Sequence, residues 1–110
     1  MISPYVLHVQ NEPSDEQDYH DFYEKEHLDL LHKVPGYRKS QRYKLTDPVM
    51  ASADAPRFMV IHEFEHLNAL DGPELRHADA SPWVHKVFGS AKAVNVRGFK
   101  RVFSQGYKNS

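Results

Sequence analysis

The sequence predicts an α+β fold of ferredoxin-like order, β-α-β-β-α-β, with an antiparallel sheet and both helices on one face. Three observations support it. A β-rich segment stands at each end of the chain. A long amphipathic helical stretch follows the first, and a shorter, broken one precedes the last. Two strand-like segments joined by a proline-containing loop lie between the helices.

The elements follow in order. Tyr5-Val6-Leu7-His8-Val9-Gln10 is β-rich, and Asn11-Glu12-Pro13 stops it. Ser14 is placed as a helix N-cap, with Gln17 completing a capping box and Asp15 and Glu16 favourable in the first turn. The helix is expected to run to about Val34, with Lys33 in its last turn and Pro35-Gly36 ending it. From Tyr37 to Leu45 the chain alternates. Tyr37, Lys39, Gln41, Tyr43 and Leu45 are expected on one side and Arg38, Ser40, Arg42 and Lys44 on the other, as in an edge strand with a basic face. Thr46 to Pro56 reads as a loop.

Arg57 to Glu65 is apolar on both faces in its first half, as a central strand would be. Asp71 is expected to cap a second helix, with Glu74 at the box position, and Ser81-Pro82 to restart a short helical piece. Ala93 to Phe103 is the final strand, with Gly98 marking a bulge. Helices on one face leave the other face of the sheet bare, although Met59 and Ile61 on one side and Phe58, Val60 and Phe64 on the other both expect cover. Sheet-to-sheet homodimerisation would supply it.

Composition bounds the function. The chain's 110 residues, 40% hydrophobic and 26% charged, suit a single globular domain over 1–110. A net charge of −1 gives no field to attract nucleic acid or an anionic membrane. With no cysteine there is no disulfide framework, thiolate metal site or cysteine nucleophile. The first residues lack a basic segment followed by a long apolar run, so no signal peptide is expected, and no stretch reaches membrane-spanning length. The default is cytoplasmic.

One helical stripe carries the functional signal. Tyr19, Phe22, Tyr23, Glu26, His27, Leu30, Leu31 and Val34 follow helical spacing, and only Glu26 and His27 are ionisable. An imidazole on a core-facing stripe titrates near neutrality before its surroundings shift it. His27 is therefore the leading catalytic candidate. Tyr23, one turn earlier, is placed to orient it or to donate to a substrate oxygen. His62 shares a strand face with Phe58, Val60 and Phe64, so it borders a common cavity with His27 if that face packs against the helices. Glu26, Phe22 and Trp83 are candidate pocket-wall and substrate-binding residues. Arg42 is placed to hold a substrate carboxylate, with Tyr43 beside it.

His62-Glu63-Phe64-Glu65-His66 is a literal H-E-x-x-H string. A zinc site needs that string on a helix, and here it follows Phe58-Met59-Val60-Ile61 and reads as strand, so no metal is assigned.

Asp21-Phe22-Tyr23-Glu24-Lys25-Glu26-His27-Leu28, then Val34-Pro35-Gly36-Tyr37 and Arg42-Tyr43, resembles the EthD-like branch of the dimeric α/β-barrel superfamily. Ile61-His62-Glu63-Phe64 and Ser81-Pro82-Trp83 look like its later landmarks, and Asp29 stands where many relatives have proline. The resemblance implies a homodimer with a pocket in each subunit between sheet and helices, and His27 as the catalytic group. The wider superfamily spans cofactor-free monooxygenases, polyketide cyclases, dehydratases, decarboxylases, isomerases and haem proteins. The expectation is a small cofactor-independent enzyme. Histidine general acid/base chemistry would act on an aromatic or polyketide-like metabolite by decarboxylation, dehydration or cyclisation. The alternatives are a cofactor-free monooxygenase of aromatic polyketides and a non-enzymatic binding or accessory protein.

Overall fold

A computed structural model of the chain describes residues 5–46 and 55–106. Strand β1 (Tyr5–Glu12) leads into a helix in three parts: α1 (Glu16–Phe22), a π-helical turn (Tyr23–His27) and α2 (Leu28–Leu31). Then come β2 (Tyr37–Lys44), β3 (Phe58–Phe64), a 3₁₀ turn (Leu67–Asp71), α3 (Pro73–Asp79), α4 (Pro82–Ser90) and β4 (Ala93–Lys100). The strands pair antiparallel in the order β2-β3-β1-β4, the ferredoxin-like sheet. The predicted loop falls largely on residues 47–54, outside the described residues. Among the described residues no helix is long and apolar enough to cross a membrane.

Helix starts follow local hydrogen-bonding reach, and two of them differ from expectation. Asp15, not Ser14, caps α1: its extended backbone lets its carboxylate accept from the Asp18 amide at 3.0 Å. Gln17 does not complete a box, because its amide instead donates to Asp21 at 3.0 Å. Gly72, not Asp71, precedes α3, where Pro73 occupies the first turn and needs no amide partner, and the Asp71 carboxylate pairs with Arg76 at 2.6 Å. Ser81 does cap α4, accepting from the Val84 amide at 3.1 Å.

The register irregularity lies between Tyr37 and Lys39 in β2, whereas Gly98 pairs regularly with Leu7. That bulge changes which side Tyr37 takes. Tyr37 pairs with Phe64 and Ser40 with His62, so Tyr37 shares the helix-side face with Ser40, Arg42 and Lys44 instead of opposing them. β4 stops at Lys100, short of the expected Phe103, and Val102 and Phe103 are exposed.

Two apolar clusters fill the space between sheet and helices. One joins Val9, Tyr19, Phe22, Phe58, Val60, Val84 and Val87, so it belongs to α1 and α4. The other joins Leu31, Val34, Phe64, Leu75 and Ala78, so it belongs to α2 and α3. On the reverse face of the sheet, Val6, Met59 and Ile61 are only half-buried, and no helix of the described residues covers them.

The Val34-Pro35-Gly36 turn returns the chain from helix to sheet. Gly36 has φ +82°, and a β-carbon there would lie 2.8 Å from the His66 ring. Gly36→Ala is therefore expected to cost about 1–2 kcal/mol in backbone strain alone, with more from the clash. Urea denaturation checks this. Adding His66→Ala should recover the clash component and leave the strain.

Candidate active site

The π turn builds the site. The Leu28 amide bonds the Tyr23 carbonyl, five residues back, in place of the regular four. Residues five apart then superpose, and the His27 ring stacks on Phe22 with centroids 4.8 Å apart at 28°. Tyr23 meets His27 edge-on, at 5.5 Å between centroids.

His62 reaches the same place from β3, 6.2 Å from both the His27 and Tyr23 rings, centre to centre. The three side chains line a cavity of about 240 Å³ between the two apolar clusters, with Leu7, Val9, Leu31, Leu75, Val84, Phe88, Val94 and Val96 as its apolar wall and Asp79 of α3 on its rim. An apolar cavity of roughly 150 Å³ admits benzene, so this one has room for one or two fused rings.

Its polar groups are poised but incompletely engaged. The Tyr23 hydroxyl and His27 Nδ1 are buried without a hydrogen-bond partner, a costly state that an incoming ligand can relieve. His27 Nε2 lies 3.9 Å from Asp79 Oδ1, beyond hydrogen-bond reach but close enough for that carboxylate to stabilise an imidazolium. His62 Nδ1 is 2.6 Å from Ser40 Oγ, and Ser40 Oγ is 2.5 Å from the Tyr37 hydroxyl.

Burial sets the charge states. It lowers His27 to about 4, and burial together with the nearby His27 charge lowers His62 to about 3, so both imidazoles are neutral at pH 7. Burial also raises Tyr23 far above the ordinary phenol, with Tyr19 adding and the Arg42 guanidinium opposing. The Asp79 carboxyl is raised by burial as well.

The residues expected to bind substrate are placed elsewhere. The Glu26 carboxylate accepts from the Ser81 hydroxyl at 3.0 Å, tying the π turn to the start of α4. The Trp83 indole donates to Asp18 at 3.1 Å and packs against Phe22, clamping α4 to α1. Phe22 is fully buried beneath His27. Arg42 donates to His20 Nδ1 at 2.6 Å and lies over the Tyr23 ring. With the exposed Tyr43, it lines a separate groove at the sheet edge. None of the five appears in the cavity wall. His62 and His66 of the H-E-x-x-H string are not one helical turn apart, because the string begins on a strand. Among the described residues no three histidine, cysteine or acidic side chains gather as metal ligands.

Three residues linked to the two histidines carry little signal in the sequence. Asp79 falls in a short helix with no periodic signal of its own, and Ser40 and Tyr37 are joined only through the β2 bulge. The one available hint was a small hydroxyl, Ser40, within an otherwise basic strand face.

No protein-family model matches the sequence, and no curated protein matches it. Solved structures do match in fold. The chain has the fold of an EthD family protein. That protein, from Bacillus halodurans, is 15% identical, with 92% of this chain and 100% of that one covered and a TM-score of 0.55. A monooxygenase from the gene ActVA-Orf6 of Streptomyces coelicolor, in complex with nanaomycin D, is 13% identical over 96% of this chain and 94% of that one, with a TM-score of 0.65. SnoaB, a cofactor-independent oxygenase from Streptomyces nogalater, is 9% identical over 93% and 96%, with a TM-score of 0.58.

The buried imidazoles make stability depend on pH. The unfolded chain protonates them near 6.5, but the folded chain resists until about 4 and 3. Their neutral burial contributes fully above pH 6.5, and the contribution falls as pH drops through that value toward the folded pKa values. Each histidine can add a slope of up to about 1.4 kcal/mol per pH unit in that window. His27→Phe should flatten the dependence between pH 6.5 and 4.5 by about one such slope, read from urea unfolding. An unchanged slope would show that His27 does not titrate this way.

Proposed function

We propose that the protein is a small cofactor-independent enzyme that begins its reaction by removing a proton from a hydroxylated aromatic or polyketide-like metabolite, with His27 as the base. The observation that carries this reading is the convergence of His27, Tyr23 and His62, two of them with unpartnered buried polar atoms, in an otherwise apolar cavity of ring-system size.

A neutral His27 accepts the proton. The cost of charging it in an apolar site is offset by Asp79 beside its other nitrogen. The deprotonated substrate then has two outlets. It decarboxylates, dehydrates or cyclises, or its electron-rich carbon reacts with dioxygen. The second outlet has specific support from the two oxygenases that share this fold. Val96 of the edge strand lines the cavity and is exposed although it faces the helix side, which gives small ligands a way in.

Hydroxylated aromatics and β-keto acids form the test panel. A ligand of the folded state at a hundredfold excess over its Kd adds about 2.7 kcal/mol of stability, visible as a raised Tm. For a compound that is turned over, His27→Gln should lower kcat by about 10²–10⁴ while the unliganded variant stays folded. Oxygen uptake during turnover selects the oxygenase. Turnover without uptake selects the lyase. Binding without turnover of any panel member, by wild type and variant alike, would favour a binding or accessory protein.

The same reading includes a homodimer in which a second copy covers the bare face carrying Val6, Met59 and Ile61. Ile61→Lys places a charge at its centre and is expected to convert dimer to monomer in sedimentation velocity. A monomeric wild type at micromolar concentration would remove this part of the reading.

A further inference from the structure

A chain of hydroxyls runs from the sheet edge to the buried cavity: Tyr37 Oη to Ser40 Oγ at 2.5 Å, then Ser40 Oγ to His62 Nδ1 at 2.6 Å. It exists only because the β2 bulge brings Tyr37 onto the face that carries Ser40. Tyr37 and Ser40 are half-buried, and His62 is 1% exposed. The phenol is the most acidic hydroxyl of the chain and so its best donor, while serine can donate and accept at once. With the phenol as the outermost donor the assignment runs inward: Tyr37 donates to Ser40, and Ser40 donates to His62 Nδ1. The proton on neutral His62 then sits on Nε2, the nitrogen not held by the strand.

We infer that Tyr37 and Ser40 are positioning residues that fix His62 as its Nε2–H tautomer, making the cavity a binding site for an oxygen that becomes anionic, a phenolate or an enolate. The inference deepens the proposed function and rests on it for the base, but not for the tautomer. Two neutral donors, His62 Nε2–H and the unpartnered Tyr23 hydroxyl, serve the developing oxyanion. His27 is arranged the other way. Asp79 beside Nε2 favours the proton there, leaving the unpartnered Nδ1 as the lone pair. The substrate's O–H or acidic C–H bond breaks, its proton goes to His27 Nδ1, and the electron pair remains on the substrate, its charge resting on the oxygen that the two donors hold.

The groups facing His62 are compatible with this division. His27 and Tyr23 approach from the π turn and Asp79 from α3. The only carboxylate among them lies beside His27, where positive charge forms.

The test reads the tautomer directly. In ¹⁵N-labelled protein at pH 7, the imidazole nitrogen spectrum should show His62 protonated on Nε2 alone. Ser40→Ala should convert this to a mixture, and Ser40→Thr, which keeps the hydroxyl, should restore it. An Nδ1–H tautomer in wild type, or an unchanged spectrum in Ser40→Ala, overturns the assignment whether or not the protein turns over any substrate. The donor role is read with 2-naphthol and naphthalene as probes. Wild type should prefer 2-naphthol, and Ser40→Ala should reduce that preference by about three- to tenfold, the value of one hydrogen bond, with naphthalene affinity unchanged. Equal affinities for the two probes in wild type overturn the oxygen-binding site. A normal His62 tautomer combined with full activity in His27→Gln would instead sink the proposed base and leave this inference standing.

Discussion

The π turn at Tyr23–His27 is the constraint on which the site depends. A regular α-helix would bring residues three and four apart together and carry Glu26 and His27 jointly toward the sheet. One widened turn instead lets His27 lie over Phe22 and moves Glu26 aside, where Ser81 takes its carboxylate. A carboxylate left in the cavity would have required a partner or a proton. The widened turn thus separates a group suited to the dry interior from one suited to its margin. It does so without proline or a positive φ, and the chain runs on from the turn directly into α2.

The second determinant is the low polarity of the cavity itself. Two imidazoles and a phenol are held among leucine, valine and phenylalanine side chains, and this environment keeps all three neutral. Neutral groups are cheaper to bury than charged ones, which reconciles a polar trio with a small core. It also leaves the only nearby carboxylate, Asp79, where solvent still reaches it. Arg42 lies over the Tyr23 ring but lines the groove outside the cavity, and its charge opposes the upward shift that burial gives the phenol.

Much of this was legible in the residues because it depends on periodicity. Strand order followed from alternation and from the doubly apolar segment at Phe58–Phe64. The meeting of His27 with His62 followed from period 3.6 on the helix and period 2 on the strand. What periodicity cannot carry are insertions into it. The bulge between Tyr37 and Lys39 moves one aromatic to the opposite face, and the extra residue in the π turn redirects Glu26. Both are single-residue events decided by tertiary packing. Two helix starts differ from expectation for a related reason. Ser14 and Asp15 are both good caps, as are Asp71 and Gly72 in their setting, and the choice between neighbours depends on backbone angles that composition does not encode. Trp83, Arg42 and Tyr43 carried the chemistry of a binding site, but their placement required knowing that Asp18 and His20 would engage two of them first.

The division of the interior into two clusters has a consequence for how the protein can change over evolutionary time. The cavity is the seam between a body made by α1 and α4 and another made by α2 and α3, and the break between α3 and α4 falls at Ala80-Ser81 on that seam. Its dimensions are therefore set by how the two bodies abut. Exchanging a valine or leucine in either one alters the shape offered to a ligand and leaves the imidazoles and the phenol where they are. The shape of the cavity and its polar trio therefore reside in different residues, and each can change without the other.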